Sequence, residues 1–165
     1  MSGVDVTVTE TDLLHLRRCV ALASEAVDAG DFPFGSVLVA GDGTALAEER
    51  NREMSMGDAT RHPEFELARW AASHLGSADR AAATVYTSGE HCPMCAAAHG
   101  WVGLGRIMYA TSSAQVGPWL AEFGVAPAPV RPLSIEDIAP GIQVLGPIPE
   151  LADEVRELHR RFWTA

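Results

Sequence analysis

The chain has 165 residues, 47% apolar and 21% charged, enough for one domain (residues 1–165) with a real hydrophobic core. Twelve basic side chains against twenty-two acidic ones leave a formal net charge of −10, which repels a polyanion at long range and argues against nucleic acid as a partner. No apolar run reaches membrane-spanning length, nothing near Met1 reads as a signal peptide, and three cysteines without a framework suit a reducing compartment, so the expected location is cytoplasmic with no membrane partner.

Residues 1–10 are polar and threonine-rich and read as a loosely held arm. Leu13, Leu16, Val20, Ala23 and Val27 fall at spacings of three and four, which predicts a helix from about Thr11 to Ala29, ended by Gly30. Cys19 lies within that pattern and reads as a buried, inert thiol. Phe34 to Ala40 and Thr44 to Glu49, separated by a Gly-Asp-Gly turn, predict a hairpin. Residues 50–61 carry no apolar period and read as a loop.

Pro63 and Pro93 each occupy a position suited to the first residue of a helix, because proline has no amide hydrogen to lose there and its φ is already helical. His62 and Cys92 then cap two helices, the first running to about Leu75 with Phe65, Ala68, Ala72 and Leu75 facing inward. A strand from Ala83 to Thr87 leads to the second. Small residues Ala96, Ala97, Ala98 and Gly100 allow the two helices to pack closely. Another strand is predicted at Arg106 to Thr111, then a helix from Ser113 to about Phe123 that Pro118 starts or kinks. A proline-rich excursion with one short strand at Ile142 to Leu145 follows. Pro149 opens a last helix with Leu151, Val155, Leu158 and Phe162 on its apolar face. Strands alternating with helices predict an α/β sandwich around one sheet.

His62-Pro-Glu64 and Ser88-Gly-Glu-His-Cys-Pro-Met-Cys95 carry the chemistry. One imidazole and two thiols are three zinc ligands, and a catalytic zinc keeps its fourth position for water. Glu64 is left to move protons. Either motif alone is weak, and C-x-x-C alone suits a structural zinc or a redox pair. In this order, each opening a helix and the second following a strand, they form a zinc deaminase signature. A non-catalytic zinc or thiol module is the rival. Its fourth ligand would be His99, although a position four residues past Cys95 on a packed helix suits an interior histidine.

These blocks, with Pro33-Phe-Gly-Ser-Val-Leu-Val39, Asn51, Asp58 to Glu64 and Trp101, resemble the cytidine deaminase-like superfamily, nearest its guanine deaminase and tRNA adenosine deaminase branch. The resemblance implies a three-layer α/β/α sandwich with a central mixed five-stranded sheet, a homodimer, and one Zn2+ per chain held by His62, Cys92 and Cys95. It implies Glu64 as proton shuttle, Asn51 as base-binding amide, and Phe34 and Trp101 as walls against the ring. The implied reaction is hydrolytic deamination of an aminated free base: guanine, isoguanine, a cytosine analogue or an aminotriazine. A tRNA adenosine is the second substrate class and a free nucleoside the third. His91 stands where the family usually has proline and reads as a loop histidine with an ordinary hydrogen bond. The region after Ser113 lacks the residues with which guanine deaminases grip guanine. His15, His74 and His159 read as surface or edge residues of helices, and the last helix is a candidate cap for the pocket.

Overall fold

The computed structural model describes residues 7–165, so most of the arm expected at residues 1–10 lies outside the described residues. Its end is anchored. Thr9 caps helix α1 (Glu10–Asp28) and exchanges hydrogen bonds with Asp12 in a capping box. The hairpin follows as β1 (Gly35–Val39) and β2 (Ala45–Arg50), with Gly43 at φ +90° in the turn. Next come α2 (Glu53–Met56), α3 (Pro63–His74), α4 (Ser77–Ala82), β3 (Thr84–Gly89), α5 (Pro93–Val102) and β4 (Arg106–Thr111). The chain closes with α6 (Ser113–Glu122), α7 (Ile135–Ile138), β5 (Val144–Leu145), a 3₁₀ turn (Pro149–Leu151) and α8 (Ala152–Trp163).

The five strands form one mixed sheet in the order β2-β1-β3-β4-β5. β1 is antiparallel to both neighbours, whereas β3, β4 and β5 run parallel. Alternation along each strand sends successive side chains to opposite faces. Val37, Val39, Tyr86, Met108 and Ala110 accordingly pack with α1 and α8. Leu38 and Val85 pack with Leu67, Ala68 and Ala71 of α3, while Ile107 and Tyr109 meet Ala96 of α5 and Ile135 of α7. Helices on both faces give the expected three layers, and each fully buried Leu or Ile contributes about 1.5–3 kcal/mol. A Cβ on Gly35 would collide with the Cys19 carbonyl oxygen, so glycine lets α1 lie directly on β1.

Three local expectations need correction. The buried face of α3 is Glu64, Leu67, Ala68 and Ala71, with Ala72 exposed and Phe65 half-buried, so the predicted stripe was rotated. Glu64 takes a place on the buried face inside the site, so the apolar residues alone do not mark that face. Residues 50–61 and 76–83 each hold a short helix too brief to show a period. His159 is 1% exposed rather than superficial. It lies four residues past Val155 and so falls on the buried stripe of α8.

Candidate metal and active site

Extended backbone at His62 and Cys92, each followed by proline, turns the starts of α3 and α5 toward one another. His62 Nδ1 lies 3.6 Å from both Cys92 Sγ and Cys95 Sγ, and the two sulfurs are 3.6 Å apart. A tetrahedral zinc with bonds of about 2.3 Å to sulfur and 2.0–2.1 Å to nitrogen has ligand-to-ligand edges of about 3.5–3.8 Å. The donor set therefore fits that ion in size and in chemistry. His99 does not complete a closed site, because its Nε2 is 2.9 Å from the Gly105 carbonyl oxygen. Among the described residues the cluster of candidate ligands is His62, Cys92 and Cys95.

Glu64 sits beside these donors in the first turn of α3, 5% exposed, with Oε2 3.7 Å from Cys95 Sγ. Its position is set by the sheet. Ser36 on β1 and Thr87 on β3 are register partners, and period-two alternation points both hydroxyls at α3. Thr87 Oγ1 donates to Glu64 Oε1 at 2.7 Å, with Ser36 Oγ at 3.2 Å. Burial raises the pKa of Glu64, while the charge of His62 and the Thr87 hydrogen bond oppose that rise. A carboxyl held this way is suited to take up a proton and return it.

Sequence reasoning missed Glu53. Its Oε1 lies 3.0 Å from His62 Nε2, the ring nitrogen facing away from the thiols. A carboxylate there fixes the ring and leaves Nδ1 free for a metal, the usual arrangement behind a metal-binding histidine. The available signal was a carboxylate at the start of a short helix two residues after Asn51. Asn51, expected as a base-binding amide, holds Glu53 in place. It is fully buried, its Oδ1 accepts the Glu53 backbone N–H at 2.9 Å, and its Nδ2 donates to Glu53 Oε1 at 2.8 Å. These two bonds form an Asx turn that holds Glu53. Behind it, buried Asp31 accepts from the Ser55 N–H and hydroxyl and from Arg50, which anchors α2.

The donors titrate as a set. Cys92 is brought down to about 4 by its Cys95 hydrogen bond and by His62, against burial. Cys95 is pushed up by Cys92, burial and the Glu64 charge. Burial pulls His62 down, but Cys92, Glu53 and Glu64 outweigh it and lift the ring to about 10. A metal entering this group displaces protons.

A cavity of about 350 Å³ opens beside Cys92, and Phe34 lines it. Gly89 makes room for that ring, since a Cβ there would stand 2.9 Å from Phe34 Cε1. Trp101 is not a wall of this cavity. It is 91% exposed, because six residues along a helix carry it about 240° around α5 from Cys95. His91 makes no hydrogen bond among the described residues. It is 1% exposed and packs edge-on against His99 with ring centroids 5.4 Å apart.

Comparison with known proteins agrees with this geometry. Residues 9–111 match the family described as the cytidine and deoxycytidylate deaminase zinc-binding region. The guanine deaminase of Bacillus subtilis is 40% identical over 106 residues, covering 62% of this chain and 67% of that protein. A probable cytosine deaminase of Schizosaccharomyces pombe is 31% identical over 162 residues, 94% of each chain. The solved guanine deaminase of Nitrosomonas europaea shares the fold, with a TM-score of 0.72 at 22% identity over 97% of this chain and 87% of that one.

Proposed function

This chain belongs to the cytidine and deoxycytidylate deaminase zinc-binding family, and from that premise we propose that it hydrolyses the amino group of a free aminated base and releases ammonia. The observation that carries the reading is Glu64, buried 3.7 Å from Cys95 Sγ at the edge of the His62, Cys92 and Cys95 cluster. In this proposal those three residues hold one zinc per chain. Zinc in such a site supplies Lewis acidity, bringing the pKa of a coordinated water to about 7. Glu64 takes one proton from the attacking water and passes it to a ring nitrogen, then takes the second from the hydroxyl newly attached to the ring carbon and delivers it to the departing amine, so that the carbonyl forms as ammonia leaves. Phe34 supports the ring face, and Thr87 and Ser36 keep the carboxylate in place between transfers.

The named relatives act on guanine and, as a probable activity, on cytosine, which supports a free base over a nucleoside or tRNA. The net charge of −10 supports the same choice. We place the protein in the cytoplasm as a homodimer, with Trp101 and the neighbouring Ala97, Gly100 and Ile142 as an apolar face for the second copy. Among the described residues no helix is long and apolar enough to cross a membrane.

The test is ammonia release from a panel of free bases, aminotriazines, nucleosides and tRNA by the zinc-loaded protein and by Glu64→Ala. Release from one free-base class, lost in the variant while zinc stays bound, supports the reading. Release confined to tRNA, or zinc loss on the substitution, contradicts it.

A further inference from the structure

The cavity beside Cys92 has two chemically different sides. One is the β3–α5 junction, Gly89, Glu90 and Cys92, together with Phe34. The other is α6 and the proline-rich segment after it, where Val116, Leu120, Val125 and Val130 present hydrocarbon and no charged side chain. A volume of about 350 Å³ lies within the range of pockets for drug-sized ligands and exceeds what a flat bare base fills. A bare base is also polar along its edges, and donors and acceptors pressed against valine and leucine go unpaired. What the apolar side fits is hydrocarbon attached to the ring.

Glu90 gives the polar side its direction. Its Oε2 accepts the Ser113 N–H at 2.8 Å, which fixes the carboxylate at the start of α6. Its Oε1 accepts no hydrogen bond from any described residue, although the side chain lines the cavity. A fixed carboxylate with one free oxygen accepts an N–H, and aminated rings carry that group beside the carbon that loses its amine.

We propose that the substrate is an aminated ring bearing an apolar substituent, with a ring or exocyclic N–H donated to Glu90 Oε1 and the substituent lying between α6 and residues 125–132. The proposal rests on the deamination reading above and names its substrate class. Continuity decides the occupant of the apolar side, because the same cavity that Cys92 and Phe34 line extends along it.

The experiment uses aminotriazines with a hydrogen, ethyl, butyl or hydroxybutyl substituent. Dissociation constants are measured on zinc-loaded Glu64→Gln protein, and kcat/KM for ammonia release on the wild type. Each methylene should tighten binding about fourfold, the transfer value for buried CH2, and the terminal hydroxyl should cancel much of the gain. Gly117→Leu adds a side chain where a Cβ meets nothing within 4 Å, and it should collapse the butyl-to-hydrogen ratio. Glu90→Leu should weaken every member alike. A ladder that is flat or falls with chain length, with ammonia still released from the unsubstituted ring, overturns this inference alone. No ammonia from any member by the zinc-loaded wild type overturns the deamination reading and the substrate class with it. If Gly117→Leu does not fold, the ladder alone decides.

Discussion

Glu53 Oε1 stands 3.0 Å from His62 Nε2 while Nδ1 of the same ring faces both thiols at 3.6 Å, so one carboxylate sets which nitrogen is offered to the metal. Replacing it frees the ring to rotate and to change tautomer. Glu53→Ala should weaken zinc binding by about 10–100-fold, as loss of such outer partners does, and Glu53→Gln should recover part of it. Competition with a chelator of known affinity reads the change. Unaltered affinity in the alanine variant would remove the orienting role.

Thr87 tunes Glu64 through the 2.7 Å hydrogen bond to Oε1. The bond favours the ionised carboxylate, so its loss raises the Glu64 pKa and reduces the fraction of base at low pH. Hydrogen bonds to charged groups are worth about 1.5–3 kcal/mol, or about one to two pH units. Thr87→Val should move the acidic limb of the kcat/KM profile upward by that amount. A limb that stays put, with only the plateau lowered, would show that Thr87 acts on packing alone.

The three thiols should separate by reactivity. Cys92 is partly exposed, and at a pKa of about 4 it is a thiolate at neutral pH, so iodoacetamide should alkylate it first in zinc-free protein. Cys19 is fully buried, and burial raises its pKa, so it should react only on unfolding. Zinc should protect Cys92. Equal alkylation rates with and without zinc, followed by peptide mass spectrometry, would return the thiol pair to a redox role.

His159 gives the fold a pH dependence. Wedged between Phe34 and Trp119 without a hydrogen-bond partner among the described residues, it is depressed by burial to about 4. The unfolded chain, with its histidine near 6.5, binds the proton first as pH falls. The stability from neutral His159 is therefore complete above about pH 6.5 and is lost as pH falls through about 4, amounting to roughly 3 kcal/mol. Urea unfolding of the wild type and His159→Leu at pH 7 and pH 4.5 should show the wild type losing about 2–3 kcal/mol more than the variant. Parallel losses would mean that other groups carry the acid sensitivity.

The strands, the long helices and the convergence of His62, Cys92 and Cys95 were legible because they rest on local chemistry: proline at two helix starts, fixed spacing, and apolar periods. Glu53 was not, since its partner is nine residues away and the segment between them has no period. Asn51 was visible as an amide but not as an amide already paired. Trp101 was expected against the ring from the family resemblance, and the turn of α5 leaves it exposed and outside the cavity beside Cys92. The stripe of α3 slipped because a buried carboxylate breaks the rule by which apolar phase is read.

The two sides of the cavity come from separate stretches of the chain. In the proposed reaction, proton transfer and metal capture rest on residues within 9–111, the stretch that matches the family, whereas the hydrocarbon side lies wholly beyond it, in residues 116–132. Substitutions there leave Thr87, Glu64 and the metal donors untouched. On the proposed substrate class, selectivity should therefore diverge through one exchangeable surface segment while the reaction stays the same, and grafting residues 113–132 onto a relative should carry selectivity with it.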